Sequence, residues 1–167
     1  MKKIIVIGSP GAGKSTLSRR LSDITGIPLY HLDMMYWNPD RTTVTKEVLL
    51  SRMRDAMSGE EWIIDGNYSS TLTYRLAECD TVIMLDYPTE VCLDGIEHRR
   101  GKPRTDMPWI EDEPDEEFVA FVKRFADDER PKIMARLDAL TEKRVVILKS
   151  RDEADLFLNG MIHTRRQ

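Results

Sequence analysis

The sequence lacks the features that mark several large classes of protein. None of its apolar runs approaches the ~20 residues that span a membrane. Its two cysteines, Cys79 and Cys92, have neither a metal-like nor a redox-like spacing, and we interpret both as reduced, buried thiols. The formal net charge of −4 provides no general attraction for nucleic acids or anionic membranes. The composition therefore predicts a cytoplasmic protein with no membrane partner and gives no strong evidence for a nucleic-acid partner.

The most informative segment that is present is a glycine-rich loop at residues 8–15. It has the Walker A pattern of Gly, four free positions and Gly-Lys-Ser/Thr. The apolar run 4–7 before it predicts a buried strand, and the apolar spacing over 16–24 predicts a helix. Between such elements, backbone N–H groups and a helix N-terminus bind phosphates, with Lys14 on the β- and γ-phosphates and Ser15 on Mg²⁺. The predicted nucleotide-binding residues are Gly8, Ser9, Pro10, Gly11, Ala12, Gly13, Lys14, Ser15 and Thr16.

Strand-like and helix-like segments alternate along the rest of the chain. Short apolar runs occur at 27–32, 62–64, 81–85 and 145–148, and helical patterns lie near 45–58, 69–77, 88–100, 115–140 and 152–162. This alternation predicts an α/β fold in which helices cover both faces of a parallel sheet. The length suits a single domain over residues 1–167.

Three of the predicted strands are followed by aspartates, namely Asp33, Asp65 and Asp86. Because parallel strands bring their carboxyl ends to one edge of a sheet, all three carboxylates are expected near the glycine-rich loop. Each is also compatible with a helix cap or a loop. The run Asp65-Gly66-Asn67 is in addition typical of a turn.

A basic segment separates two of the predicted helices. Between positions 99 and 108 it contains Arg99, Arg100, Lys102 and Arg104, interrupted by glycine and proline. Charge runs are usually solvated loops. In a protein that binds a triphosphate, however, four cations suit a mobile lid, which we expect at about 99–115. The acidic run 111–117 is interpreted as solvated surface that leads into the next helix.

Two absences narrow the class of nucleotide-binding protein. The chain has no Asn-Lys-x-Asp run for guanine recognition, which argues against a GTPase. Asp86 is followed by Tyr87-Pro88 rather than by a glutamate that activates water. An arginine-bearing lid instead suits transfer of a phosphoryl group to a bound small acceptor, with water excluded.

Several runs outside the glycine-rich loop form a distinctive combination. They are Leu29-Tyr30-His31-Leu32-Asp33, the stretch from Trp62 to Tyr68, Thr71-Leu72 with Arg75-Leu76, Asp80 to Asp86, Arg104-Thr105-Asp106-Met107 and Arg130-Pro131-Lys132-Ile133. In this combination the chain resembles the adenylate-kinase-like small kinases and, within them, the bacterial group labelled topology modulation proteins. The resemblance covers nearly the whole chain. It implies a three-layer P-loop NTPase fold, five parallel strands in the order 2-3-1-4-5, a lid insertion, and ATP and Mg²⁺ as cofactors.

The resemblance also implies roles for individual residues. The catalytic set is Lys14, Asp33, Arg104 and Arg130, the metal ligands are Ser15 and Asp86, and Arg99 or Arg100 flanks the adenine or the lid hinge. The acceptor-binding set is Asp33, Trp37, Asp65, Asn67, Tyr68 and Arg75. Arg124 is a weaker lid candidate, and Ser150-Arg151 is expected to border the base.

One departure from adenylate kinases affects the acceptor. Their Asp-Gly-Phe-Pro-Arg run is replaced here by Asp65-Gly66-Asn67-Tyr68-Ser69. The acceptor region, near 34–60, begins with the Met-aromatic cluster 34–37, which either packs in the core or stacks on an acceptor ring. AMP is therefore in doubt, and both a nucleotide phosphate and a hydroxyl compound remain open as acceptors. An ATP-binding regulator without turnover is the alternative of a different class.

Overall fold

In the computed structural model, which describes residues 1–111 and 115–164, five parallel strands form one sheet in the order β2-β3-β1-β4-β5. This confirms the predicted α/β class and strand order. The strands are β1 (Lys3–Gly8), β2 (Leu29–His31), β3 (Trp62–Asp65), β4 (Thr81–Leu85) and β5 (Arg144–Leu148). The helices are α1 (Lys14–Thr25), α2 (Leu32–Tyr36), α3 (Lys46–Met57), α4 (Ser69–Glu78), α5 (Thr89–Arg99), α6 (Glu116–Asp128), α7 (Arg130–Asp138) and α8 (Arg151–Thr164).

The central strand β1 is paired on both sides, so its side chains are buried on both faces of the sheet. Ile5 lies opposite Ile64 of β3 and Val82 of β4. Because successive side chains of a strand point to opposite faces, these residues belong to one core and Ile4 and Ile63 to the other. Helices α3, α4 and α7 pack on the first face, and α1, α5 and α8 on the second. The result is the expected three-layer arrangement.

Two predicted elements differ from the observed ones. The sequence predicts a strand over 27–32, but β2 ends at His31 and the chain continues directly into the short helix α2, which the sequence did not indicate. It also predicts one helix over 115–140, where the structure has two. The break falls at Glu129 because Pro131 has no N–H to continue the α6 ladder and is well placed in the first turn of α7.

Three further predictions concern the state of the two cysteines, the absence of a membrane-spanning segment and the position of the lid. Cys79 and Cys92 are both free and buried, as expected, and burial raises the pKa of each thiol. No helix in the part of the chain that the structure describes is long and apolar enough to cross a membrane. Of the lid predicted at 99–115 and the acidic run at 111–117, positions 112–114 lie outside the described residues.

Candidate active site

The glycine-rich loop joins β1 to α1 and packs its backbone directly against α5. Gly11 has a φ of +81°, and a Cβ atom there would lie 2.0 Å from the carbonyl oxygen of Cys92. A Cβ atom on Gly95 would likewise lie 2.1 Å from the carbonyl oxygen of Gly11. Both positions therefore require glycine. Gly95 was not recognised from the sequence, since a lone glycine within a helix carries no local signal of such a contact.

The N-terminus of α1 is available to an anion. This fully described helix is capped by Gly13, which has no side chain to bond the helix N–H groups, and its first turn contains no acidic residue. The backbone N–H groups and the positive end of the helix dipole are thus left to a ligand. Lys14 lies at the same end, and its Nζ donates to the carbonyl oxygens of Gly8 at 2.9 Å and Ser9 at 3.0 Å. Burial lowers the pKa of this ammonium group.

Asn67 ties the loop after β3 to the start of the glycine-rich loop. The Gly8 N–H donates to Asn67 Oδ1 at 3.0 Å, and Asn67 Nδ2 donates to the Gly8 carbonyl oxygen at 2.6 Å. This paired contact positions the phosphate-binding loop. Asn67 also lines the main cleft, so its predicted contact with an acceptor is compatible with its position.

Asp33 lies in the first turn of α2 and lines the same cleft as Lys14 and Ser15. Burial raises the pKa of its carboxyl group, although a hydrogen bond from Tyr68 and the charge of Lys14 act in the opposite direction. The Tyr68 hydroxyl donates to Asp33 Oδ1 at 2.7 Å and fixes the orientation of the carboxylate. A carboxylate with a raised pKa inside a cleft is suited to accept a proton.

Asp65 has a different environment from the one predicted for an acceptor ligand. It is 4% exposed, and Nδ1 of His31 lies 2.9 Å from each of its carboxylate oxygens. Its side chain is not part of the cleft wall, although its charge bears on the pKa values of Lys14 and Asp33. The structure thus shows no direct opening from this carboxylate to the described cleft wall, and the predicted acceptor contact of Asp65 stays a prediction.

Arg75 is fully buried, which revises its predicted role as an acceptor ligand. Its guanidinium group donates to the backbone carbonyl oxygens of Gly66 at 2.8 Å, Asn67 and Tyr68 at 3.4 Å. Burial lowers its pKa to about 10, so the group remains a cation at neutral pH. Because these donors are already used, Arg75 stabilises the loop after β3 rather than presenting a free charge to an anion.

Replacing Arg75 with methionine should therefore destabilise the fold by about 2–4 kcal/mol, since buried carbonyl groups lose a charged donor. Chemical denaturation followed by circular dichroism measures this change. Arg136→Met is the matched control, because Arg136 is exposed and donates to a nearby backbone carbonyl, that of Ser69, at 3.4 Å. We expect less than about 0.5 kcal/mol for the control. Equal effects in the two variants would contradict the structural role of Arg75.

Asp86 and Arg130 form a bidentate ion pair away from the main cleft. Arg130 Nε lies 2.7 Å from Asp86 Oδ1, and Nη2 lies 2.9 Å from Oδ2. With Ser9 they line a separate small cavity. Of the three strand-end aspartates, the structure thus places Asp86 apart from Asp33. The predicted metal contact of Asp86 and the predicted phosphoryl contact of Arg130 stay predictions, because the ion pair leaves Nη1 of Arg130 and one lone pair on each Asp86 oxygen available.

The lid contains Asp106, an acidic residue that was not among the candidates predicted from the sequence. The structure places this residue against the phosphate-binding loop. Ser15 Oγ donates to Asp106 Oδ2 at 2.6 Å. Burial alone raises the pKa of Asp106, but hydrogen bonds from Arg104 and Ser15 outweigh it and hold that pKa far below its usual range. Arg19 of α1 also donates to Thr105 Oγ1 at 3.1 Å. The lid is therefore attached to the first turns of α1 at two points.

The lid arginines have partners in the lid or in the two helices that flank it. Arg104 forms ion pairs with Asp106 at 2.7 Å and Glu111 at 2.8 Å. Arg99 lies 3.0 Å from Glu111 and above the ring of Phe118. Arg100 pairs with Glu97 at 3.0 Å, and all three arginines line the main cleft.

The remaining charged candidates lie on the surface. Arg124 pairs with Asp128 at 3.5 Å, with most of its side chain exposed. Arg151 lies 3.8 Å from Asp94. The hydroxyl of Ser150 accepts a hydrogen bond from the Glu153 N–H at the start of α8. None of these residues is among the described residues that line the main cleft, so their predicted contacts with a nucleotide stay predictions.

Aromatic side chains connect the acceptor region to the lid. Trp37 contacts Trp109 edge-to-face, with ring centroids 4.9 Å apart, and both rings line the cleft. Of the predicted Met-aromatic cluster, Met35 and Tyr36 pack against the hydrophobic core, and Met34 is 44% exposed. Only Trp37 of this cluster therefore faces the site.

The main cleft has a volume of about 1200 Å³. It extends from the glycine-rich loop past Asp33 to the lid. Sites for a single small ligand usually have volumes of about 300–1,000 Å³. The cleft is therefore larger than a typical site for one small ligand.

Comparison with known proteins agrees with this architecture. No protein-family model matches the chain. The adenylate kinase of Thermotoga maritima is 31% identical over 112 residues, which make up 63% of this chain and 50% of that protein. The chain thus spans about half the length of this curated relative.

Solved structures match over almost the whole chain. Shikimate kinase from Acinetobacter baumannii, in complex with shikimate, has a TM-score of 0.64 at 16% identity, covering 99% of this chain and 93% of that one. A gluconokinase from Sinorhizobium meliloti has a TM-score of 0.54 at 14% identity, covering 99% and 95%. The fold is that of the small P-loop kinases. At these identities the likeness establishes the fold alone.

The P-loop kinase fold implies a Mg²⁺ ion, and the oxygen ligands present are chemically suited to it. Mg²⁺ prefers oxygen ligands and commonly takes one or two from the protein, the others coming from phosphates and water. Here the Ser15 hydroxyl and the Asp106 carboxylate meet at the end of the P-loop, and Asp33 lines the same cleft. Among the described residues no larger cluster of three or more metal-binding side chains occurs. The site therefore suits a metal that arrives with a nucleotide.

Proposed function

We propose that this protein transfers the γ-phosphoryl group of ATP to a small molecule. The observation that carries the proposal is the shared cleft, in which the P-loop residues Lys14 and Ser15, the carboxylate of Asp33 and the lid cation Arg104 line one cavity. A phosphoryl donor, an acceptor and charge stabilisation are what such a transfer requires. The sequence similarity to adenylate kinase supports the same class of reaction.

The P-loop side of the cleft would bind ATP. The free N–H groups of α1 and the Lys14 ammonium group would hold the phosphates once Lys14 leaves the carbonyls of Gly8 and Ser9. Arg100 lines the same cleft and would contact the nucleotide, and Arg104 would neutralise charge that develops during transfer. Mg²⁺, when bound, supplies further neutralisation of the phosphates, with Ser15 as its protein ligand.

The acceptor is proposed to be a hydroxyl compound rather than a nucleotide phosphate. Two of the arginines predicted to contact an anion do not line the main cleft, since Arg75 is buried against backbone carbonyls and Arg130 lines the separate small cavity. A hydroxyl acceptor needs a carboxylate within hydrogen-bond reach, which Asp33 provides. Trp37 and Trp109 offer apolar ring faces to the same ligand. Tyr68, by orienting Asp33, would determine which acceptor hydroxyl is deprotonated.

The sequence motifs of the topology modulation group leave a regulator as the competing function. Such a protein would bind ATP without turning it over. The hydrogen bonds between the lid and the first turns of α1 favour the kinase, because they hold the lid beside the cleft in which a phosphoryl group would move. Any effect on DNA topology would then be indirect.

An acceptor screen tests the proposal. ADP release from MgATP is measured with sugars, hydroxy acids, nucleosides and nucleoside monophosphates, each against a reaction without acceptor. Acceptor-dependent ADP release by a hydroxyl compound, with the phosphorylated product identified by mass spectrometry, is the expected result. The Lys14→Ala variant, purified in parallel, controls for contaminating kinases. Binding of ATP with no acceptor-dependent turnover in any class would favour the regulator.

A further inference from the structure

Asp106 is a buried carboxylate in the lid to which the proposed mechanism has so far given no role. It is 5% exposed, although it belongs to a surface loop between α5 and α6. Its carboxylate contacts a residue outside the lid as well as Arg104 within it. One of its two oxygens, Oδ2, accepts a hydrogen bond from the P-loop residue Ser15, 91 positions earlier in the chain.

The carboxylate is held rigidly where it meets Ser15. Arg104 Nε lies 3.1 Å from Asp106 Oδ1, and Arg104 Nη2 lies 2.7 Å from Oδ2. Arg104 Nη1 donates separately to Glu111 at 2.8 Å, so the two contacts with Asp106 do not depend on Glu111. A second contact, from Arg19 to Thr105, holds the adjacent residue of the lid on α1. Asp106 is therefore positioned from three sides.

The two oxygens of this hydrogen bond are separated by nearly the distance that two ligands of one metal ion require. Mg²⁺ binds oxygens at 2.0–2.1 Å in octahedral geometry, so two adjacent ligands lie about 3 Å apart. Ser15 Oγ and Asp106 Oδ2 are 2.6 Å apart. A shift of a few tenths of an ångström would let both oxygens bind one ion, and the Ser15 hydroxyl is the position expected for the metal of a P-loop nucleotide site.

We propose that Asp106 is a lid-borne ligand for the Mg²⁺ that accompanies ATP, so that the metal connects the closed lid to the P-loop. The proposal rests on the proposed binding of MgATP. Metal-free ATP brings no ion that could join Asp106 to Ser15, so the closed lid would bind it less tightly than MgATP. Lid closure then discriminates between MgATP and ATP alone.

Isothermal titration calorimetry of the whole protein tests this without requiring an acceptor. The measured quantity is the ratio of the Kd for ATP in EDTA to the Kd for ATP in excess Mg²⁺. In Asp106→Asn we expect this ratio to fall by about 10-fold or more, the range typical for loss of a residue that supports a bound metal. Affinity for metal-free ATP should be unchanged or slightly higher, because a negative charge near the phosphates is removed. Asp106→Ala is the second variant should the asparagine variant not fold.

Glu111→Gln is the matched control. It breaks the other ion pair of Arg104 but leaves the oxygens of Asp106 and Ser15 in place. We expect it to retain the metal preference of the wild type. Ser15→Ala should lower the ratio, and Asp106→Asn added to it should have little further effect, since both oxygens serve one ion.

The possible outcomes separate this inference from the proposed function. A wild-type protein that binds no ATP in either form would overturn both. Equal weakening of MgATP and metal-free ATP in Asp106→Asn would leave the proposed function standing and show that Asp106 only positions Arg104. Tighter binding of MgATP by Asp106→Asn would also overturn the inference, because Asp106 would then compete with the metal for Ser15.

Discussion

Replacing Lys14 with alanine should lower the rate of phosphoryl transfer by about 10³-fold or more and leave the fold intact. The side chain donates to two carbonyl oxygens of its own loop, and Lys14 is not a member of either hydrophobic core cluster. Its removal therefore deletes a phosphate-binding cation at little structural cost. The rate of acceptor-dependent ADP release and the thermal midpoint of unfolding measure the two parts of this prediction.

Lys143→Ala provides a matched control for this variant. The Nζ atom of Lys143 also donates to two backbone carbonyl oxygens, those of Ala77 at 2.9 Å and Cys79 at 2.7 Å, but it lies outside the described wall of the cleft. We expect its rate to stay near that of the wild type. If folded Lys14→Ala retained full activity, the assignment of the P-loop as the phosphate site would be wrong.

Replacing Asp33 with asparagine should lower the rate of transfer to a hydroxyl acceptor by about 10²–10⁴-fold, the usual effect of losing a general base. The amide preserves the shape of the carboxylate and still accepts the hydrogen bond from Tyr68. Binding of ATP should persist, because the phosphates are held by residues 8–15. Rates and ATP affinity are therefore measured on the same preparation, with the exposed Asp40→Asn as the control in the same lobe.

The pH dependence of the reaction distinguishes a base from a binding residue. Because burial raises the pKa of Asp33, kcat/KM should fall on acidification at a pH above the ordinary range of an aspartate. Asp33→Asn should lose this acidic limb. Loss of MgATP binding in the same variant would instead place Asp33 among the metal ligands. An unaltered rate would show that Asp33 serves only in the first turn of α2.

The fold was largely predictable because its determinants are local. The P-loop pattern and the apolar runs of the strands lie within a few consecutive residues, and alternating strands and helices leave few arrangements open. The errors occurred where neighbouring elements compete. Leu32 continues an apolar run yet starts α2, and Pro131 separates two helices that share one amphipathic pattern.

The position of a site residue could be predicted only where it follows from the neighbouring sequence. Lys14, Ser15 and Asp33 line the cleft as expected from their places after strands. The partners of charged residues are set by tertiary contacts instead, as between Asp86 and Arg130, 44 positions apart. For the same reason Arg75 looked available to an anion, and Asp106 did not stand out beside the lid arginines.

The contact between Gly11 and Gly95 also determines which part of the protein can move. Since the backbones of the P-loop and α5 touch with no side chain between them, α5 cannot turn without displacing the phosphate-binding loop. The helix is thus part of the rigid frame, although it leads directly into the lid. If the lid rotates, as the sequence predicts for a mobile lid, the rotation begins beyond α5, where Gly101 has a φ of +66°. A larger residue at position 95 would therefore disturb nucleotide affinity and lid motion together, although that position holds no functional side chain.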